Sequence, residues 1–181
     1  MQWSGPGEIA GARRVFSENN DARPPGAKVD LAIIHCISLP PGSFGGPCVE
    51  QLFTNSLDLS SHPYFSNLKG LKVSAHFLIR RDGELVQFVS CERRAWHAGV
   101  SNWGGRDRCN DRSIGIEVEG TEDSCFANEQ YFTLAGLLQA LLSRYPITDI
   151  VAHGDVAPGR KTDPGPGFAW AMLRAGLIAA T

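Results

Sequence analysis

The stretch from residue 151 to residue 166 reads VAHGDVAPGRKTDPGP, a short apolar run that passes into a loop rich in glycine and proline. The apolar part predicts a strand over 149–153 that ends in His153. The loop that follows carries Lys161 and Asp163, two residues apart. Because ordered loops with charged side chains often carry function on a rigid scaffold, we expect the rest of the chain to supply a sheet whose strand ends meet here.

A second apolar run, Val29–Cys36, predicts a buried central strand. Both of its faces are apolar, which indicates that the sheet is covered on both sides. His35 lies near the end of this run and is followed by a turn-rich loop over 40–47. If the two runs form neighbouring parallel strands, His35 and His153 lie close together.

Three further segments predict the rest of the sheet. The strands 74–81 and 84–90 flank Asp82-Gly83, which is typical of a two-residue hairpin loop. Ser113–Glu119 alternates apolar and polar residues, so Glu117 and Glu119 point to the same side of a strand.

Helices are predicted between and after these strands. The clearest spans Asn128–Tyr145, with Asn128 as its cap. Its predicted buried stripe is Phe132, Ala135, Leu138 and Leu142. Short helices are expected over 49–55 and 61–67, and a closing helix over 168–175. We therefore predict one mixed α/β domain over 1–181, with a central, mostly continuous mixed sheet flanked by helices and an irregular N-terminal wrap over 1–28.

Composition narrows the function classes. The chain has 181 residues, 43% hydrophobic and 20% charged, with a net charge of −2. This balance gives no reason to expect nucleic acid, an anionic membrane or an obligate protein as a partner. The five cysteines are scattered without a Cys-x-x-Cys pair, which favours free thiols over disulfides or a cysteine zinc site. Without a recognisable export signal, the expected location is the cytoplasm.

A zinc site is one interpretation of the polar residues at the strand ends. Zinc in hydrolases commonly takes three protein ligands and leaves one position open, and His35, His153 and Asp163 fit that count. Taken singly, each histidine is as well explained as a hydrogen-bonded residue at a strand end. Glu117 is either a general base near a metal or a surface charge on a solvated edge strand. Lys161 is either an oxyanion-stabilising cation or a solvated side chain.

Five segments together resemble a known family, the AmpD family of zinc-dependent 1,6-anhydro-N-acetylmuramoyl-L-alanine amidases, within the amidase-2 and peptidoglycan-recognition superfamily. They are HCISLPPG (35–42), VSAHFLIRRDG (73–83), RAWHAGVS (94–101), RCNDRSIGIE (108–117) and HGDVAPGRKTDPGP (153–166). The resemblance covers roughly residues 15–175.

The resemblance implies one Zn²⁺ per chain, bound by His35, His153 and Asp163. It also implies Glu117 as acid and base and Lys161 as the transition-state stabiliser. The implied substrate is a small soluble muropeptide, cut between the lactyl carbonyl of anhydromuramic acid and L-alanine during peptidoglycan recycling. Candidate substrate-binding residues are Arg108, Lys72, Trp96 and His97, with Arg106 as a further candidate for a peptide carboxylate; a core position is an equally good interpretation of Trp96.

Two residues depart from the family pattern. Cys36 replaces an asparagine after the first histidine, and Lys72 replaces an arginine that could have bound a carboxylate in bidentate fashion. Four alternatives stay open: a non-catalytic peptidoglycan-binding module, a hydrolase that uses Cys36 as nucleophile, a structural zinc protein, and a broader amidase that acts on the intact wall.

Overall fold

A six-stranded sheet forms the centre of the computed structural model, which describes residues 1–179. In chain order the strands are β1 (Trp3–Gly5), β2 (Glu8–Ile9), β3 (Arg13–Arg14), β4 (Asn20–Ala22), β5 (Leu31–Ile37), β6 (Phe77–Ile79), β7 (Leu85–Gln87), β8 (Arg93–Ala95), β9 (Asn102–Trp103), β10 (Arg106–Asp107), β11 (Ser113–Glu119) and β12 (Asp149–Ala152). The helices are α1 (Cys48–Phe53), α2 (Asn128–Arg144), α3 (His153–Val156) and α4 (Trp170–Ala179), and Pro63–Leu68 and Cys109–Asp111 are 3₁₀ turns.

The strand order in the central sheet is β12-β5-β11-β6-β7-β3. The first four strands are parallel, β7 is antiparallel to β6, and β3 is parallel to β7. All seven residues of β11 are buried, because β5 and β6 flank it. The predicted mixed α/β fold is therefore confirmed, and the solvated edge strand considered for Glu117 and Glu119 is wrong.

One face of the sheet is covered by α2 and α4, which pack on the apolar residues of β5 and β11. Helix α2 starts after an N-cap at Ala127, whose N–H is bound by the Gln130 side chain at 2.9 Å, so the predicted cap at Asn128 is wrong. The predicted stripe is also partly wrong, since Phe132 is 83% exposed. The buried stripe is instead centred on Leu134, Leu137, Leu138 and Leu141.

The hairpin between β6 and β7 has a three-residue loop, Arg81–Gly83, where the sequence predicted two. Arg80 donates to the Glu84 carbonyl at 2.9 Å, and Gly83 donates to the Arg80 carbonyl at 2.9 Å. Gly83 has φ +85°, the left-handed conformation that a type I turn with a following bulge requires.

The first 28 residues also differ from the irregular wrap that was predicted. They contain β1 to β4. Strand β1 pairs with β2, β3 extends the edge of the central sheet beside β7, and β4 pairs with β8. No helix within residues 1–179 combines the length and apolarity that crossing a bilayer requires.

Candidate metal centre and active site

Three polar side chains converge at the carboxyl ends of β5 and β12, on the sheet face opposite α2. His35 Nδ1 lies 3.0 Å from His153 Nδ1, and Asp163 Oδ2 lies 3.3 Å and 3.1 Å from these two nitrogens. The two histidines come together because β12 pairs with β5 in parallel and His153 directly follows the last residue of β12. A tetrahedral zinc with bonds of about 2.0–2.1 Å separates its ligand atoms by about 3.3 Å. The distances within this triangle of three atoms therefore match those expected between three ligands of one metal ion.

The hydrogen bonds outside the triangle determine which atoms can face a metal. His153 Nε2 lies 3.2 Å from the Ala98 carbonyl oxygen, which can only accept, so this nitrogen carries the proton. In neutral His153, Nδ1 is then a lone pair directed at the triangle. His153 Nδ1 and Asp163 Oδ2 are then two acceptors 3.1 Å apart, which repel each other unless a positive charge lies between them, so the residues present fit a bound metal ion.

The charge states in this cluster suit metal binding. Burial lowers the pKa of His35 to about 4, which keeps the imidazole neutral. His35 is therefore a neutral imidazole, the form in which histidine binds a metal ion.

Glu117 lies directly opposite His35 in the parallel register of β11 and β5. Paired residues in neighbouring strands point to the same face at a strand spacing of about 4.8 Å, so the carboxyl group borders the cluster. It is 8% exposed, and Glu117 Oε2 has no hydrogen-bond partner among the described residues. Burial, with the Asp163 charge, raises the pKa of Glu117 well above its usual range.

Lys161 and Cys36 are the two remaining candidates for chemistry near the cluster, and they lie in different surroundings. Lys161 is exposed, and its charge is close enough to lower the pKa values of both Glu117 and His35. Cys36 follows His35 along β5 and so points to the opposite face, where it packs against the core beneath α2. Burial raises the pKa of the Cys36 thiol, which disfavours the thiolate that a cysteine nucleophile needs.

The other predicted site residues lie at varied positions. Arg108 is 70% exposed in its side chain and pairs with Asp111 at 3.1 Å, and Arg106 pairs with Asp30 at 2.6 Å. Trp96 is half-buried. Lys72 is exposed and lines a cavity of about 190 Å³ whose other lining residues are mainly leucines.

His97 packs behind His35, and both of its ring nitrogens have protein partners; its predicted place on the sugar side of the site stays a prediction. Its Nδ1 lies 3.0 Å from His35 Nε2, and its Nε2 lies 3.2 Å from Ser113 Oγ. Sequence reasoning also missed the Ala98 carbonyl beside His153. Main-chain acceptors carry no signature in the sequence, so only the path of the loop reveals them.

This fold, with a buried carboxyl group beside a metal-type cluster at the strand ends, defines a hydrolase class. The model of the family described as N-acetylmuramoyl-L-alanine amidase matches residues 25–166. The chain is 53% identical over 171 residues to the 1,6-anhydro-N-acetylmuramyl-L-alanine amidase AmpD of Citrobacter freundii, covering 93% of this chain and 91% of that protein.

Solved structures agree. The chain superposes on a crystal structure of a selenomethionine AmpD derivative with a TM-score of 0.95 and 52% identity, covering 98% of this chain and 99% of that one. A complex of Escherichia coli AmiD with anhydro-N-acetylmuramic acid-L-Ala-D-γ-Glu-L-Lys gives a TM-score of 0.60 and 30% identity, over 85% and 60% of the two chains. The chain belongs to the N-acetylmuramoyl-L-alanine amidase family and, within it, to the AmpD amidases.

Proposed function

We propose that this enzyme is a zinc-dependent amidase that cuts the bond between the lactyl group of 1,6-anhydro-N-acetylmuramic acid and L-alanine in soluble muropeptides. The observation that carries the proposal is the convergence of His35, His153 and Asp163 beside a buried, unpaired Glu117 oxygen. The relatives support the substrate class, since AmpD is named for the anhydro sugar and the structure of AmiD is a complex with an anhydromuramyl tripeptide substrate.

A zinc ion held by the three residues would act as a Lewis acid toward the substrate carbonyl and make water a better nucleophile at neutral pH. Glu117 accepts the proton of the attacking water, for which its unpaired oxygen and its place opposite His35 suit it. The same carboxyl group then donates this proton to the nitrogen of L-alanine, because an amide anion is a very poor leaving group. Lys161 stabilises the oxyanion with its ammonium group.

The alternatives fit the site less well. A non-catalytic binding module has no need of a buried carboxyl group whose oxygen lacks a partner, because such a group costs stability. A structural zinc would have four protein ligands, and the cluster found among the described residues has three. The broader amidase that acts on the intact wall differs only in substrate, so relative rates on intact wall and on soluble fragments distinguish the two.

A cytoplasmic recycling role completes the proposal. All five cysteines, which lie within the described residues, are free thiols, as expected in a reducing compartment. Soluble anhydromuropeptides are the fragments that such an enzyme would trim to free peptide and anhydro sugar.

The test combines metal analysis with product analysis. Protein freed of metal by chelation is assayed with an anhydromuramyl tripeptide by mass spectrometry, then again after one equivalent of Zn²⁺ is added. We expect no hydrolysis without metal, and release of the L-alanyl peptide after addition. Full activity in a preparation verified to be free of metal would overturn the zinc mechanism.

A further inference from the structure

We infer that the dipeptide His97-Ala98 positions both candidate metal histidines and that Arg160, which touches neither of them, holds this dipeptide in place. The inference rests on the proposed function, in which His35 and His153 bind a metal. His97 contacts His35 through its ring, and Ala98 contacts His153 through its carbonyl group. One short loop segment therefore orients two ligands that come from different elements, His35 from β5 and His153 from the start of α3.

The ring of His97 is fixed on three sides. His35 Nε2 lies 3.0 Å from His97 Nδ1, and His97 Nε2 lies 3.2 Å from Ser113 Oγ. The third side is Gly115, where an added Cβ would come within 2.4 Å of the ring. When His35 Nε2–H donates to His97 Nδ1, and His97 Nε2–H donates to Ser113, His35 Nδ1 is left as a lone pair directed at the metal position.

The main chain of the dipeptide is held by two side chains. Asn110 Oδ1 accepts the N–H groups of His97 and Ala98 at 3.3 Å and 2.8 Å. Arg160 donates to the carbonyl oxygens of Ala98 and Val100 at 2.5 Å and 2.7 Å. The Ala98 oxygen is thus shared by the Arg160 guanidinium and His153 Nε2, and hydrogen bonds from a charged donor are the stronger kind.

Arg160 also links this loop to the third ligand. It lies three residues before Asp163, in the same loop. Arg160 donates to the Ala98 carbonyl and belongs to the loop that carries Asp163. It therefore fixes the distance between the His97-Ala98 dipeptide and the Asp163 carboxylate. Because Arg160 is exposed, it can be replaced without opening the core.

The test is zinc affinity, measured on full-length protein by competition with a chromophoric chelator, together with the visible spectrum of the Co²⁺ form. The variants are Arg160→Ala and His97→Leu, with Arg160→Lys and His97→Asn as conservative partners and Arg174→Ala on α4 as the matched control. We expect the first two to bind zinc about 10–100-fold more weakly and to alter the Co²⁺ spectrum, as loss of a group that orients a ligand does. Lysine and asparagine should restore part of the affinity, and Arg174→Ala should match the wild type.

Thermal unfolding of the metal-free proteins separates positioning from folding. Without metal, the melting temperature of Arg160→Ala should be close to that of the wild type. With zinc present, it should be lower than that of the wild type. Wild-type affinity and Co²⁺ spectra in both Arg160→Ala and His97→Leu would overturn the inference. A wild-type protein that binds no zinc would instead overturn the proposed function.

Discussion

At the scale of single residues, the proposed chemistry depends on a carboxyl group that the fold buries with one oxygen unpaired. Glu117 sits in a strand with neighbours on both sides, yet one of its oxygens has no partner among the described residues. Buried polar groups are normally paired, because an unpaired one costs about 1–3 kcal/mol. The fold tolerates this cost where a reacting group can become the partner.

Replacing Glu117 with glutamine should separate proton transfer from metal binding. The amide keeps the size of the side chain but cannot take a proton from water, so we expect turnover to fall by about 10²–10⁴-fold. Zinc content, measured by mass spectrometry of the native protein, should stay at one per chain. The exposed Glu18→Gln serves as control and should keep wild-type turnover. Wild-type rates in Glu117→Gln would assign the proton transfer to another group.

Cys36 offers a test of the cysteine-nucleophile alternative. Its side chain points to the core face while His35 points to the cluster, and burial raises the pKa of its thiol. We expect Cys36→Ser and Cys36→Ala to retain zinc and most activity, and chelation to abolish activity in both. If both variants lose all activity with zinc still bound, the thiol takes part in the reaction.

At the scale of elements, strands were easier to predict than the contacts that depend on the path of a loop. The two apolar runs of the sequence predicted that β5 and β12 are strands, and pairing them as neighbours predicted that His35 lies beside His153. The structure has this pairing. The stripe of α2 was misplaced because apolar residues occur around much of the helix, and only its packing against α4 and the sheet selects a face. Arg160 and the Ala98 carbonyl could not be predicted, because their partners lie about 60 residues away in the chain.

The loop that carries Asp163 is held by close packing against the segment after β11, and two glycines of this loop allow a matched test. Gly165 and Gly159 have φ of +78° and +76°, so alanine costs about 1–2 kcal/mol of backbone strain at either position. At Gly165 the new Cβ would also lie 2.5 Å from Glu122 Cβ, whereas at Gly159 nothing lies within 4 Å.

We therefore expect Gly165→Ala to lower the free energy of unfolding by about 1–3 kcal/mol more than Gly159→Ala, as overpacking does. Gly165→Ala should also bind zinc more weakly, since the loop that holds Asp163 must shift. Urea unfolding and zinc titration of the two variants measure these effects. Equal losses in both variants would show that the contact with Glu122 has no role in holding the loop.

At the scale of the whole molecule, an ion network joins the N-terminal segment, α1 and the sheet. Glu50 of α1 binds Arg13 of β3 at 2.6 Å and Arg80 at 2.5 Å, and Arg80 binds Glu119 of β11 at 2.9 Å. The hydrogen bond from Arg13, followed by that from Arg80, lowers the pKa of Glu50 despite its burial. The network should therefore add stability that depends on pH.

The direction of this pH dependence follows from the difference between the pKa of Glu50 in the folded and unfolded states. A carboxyl group whose pKa is lower in the folded state stabilises the fold above its unfolded pKa of about 4.3, and this contribution is lost as the pH falls through the folded pKa. We expect Glu50→Gln to lose about 1–3 kcal/mol at pH 7, and the difference from the wild type to shrink below about pH 4. Denaturant unfolding of both proteins at pH values from 7 to below about 4 measures this difference, with Glu18→Gln as control. A difference that does not change with pH would contradict the ionic origin.

The substrate preference also belongs to the whole molecule. A net charge of −2 gives the chain no excess of positive charge for adhering to anionic wall polymers, whereas a small soluble fragment needs no such adhesion. We therefore expect soluble anhydromuropeptides to be cleaved at least about tenfold faster than insoluble sacculi, and faster than the same peptides on a reducing sugar; tenfold corresponds to about 1.4 kcal/mol of transition-state stabilisation. Side-by-side digestions, with the released L-alanyl peptide counted by mass spectrometry, make the comparison, and metal-free enzyme gives the background for each substrate. Equal rates on all three substrates would leave the zinc mechanism intact and identify a general muramoyl-alanine amidase, because only the contacts beyond the scissile amide distinguish the sugars.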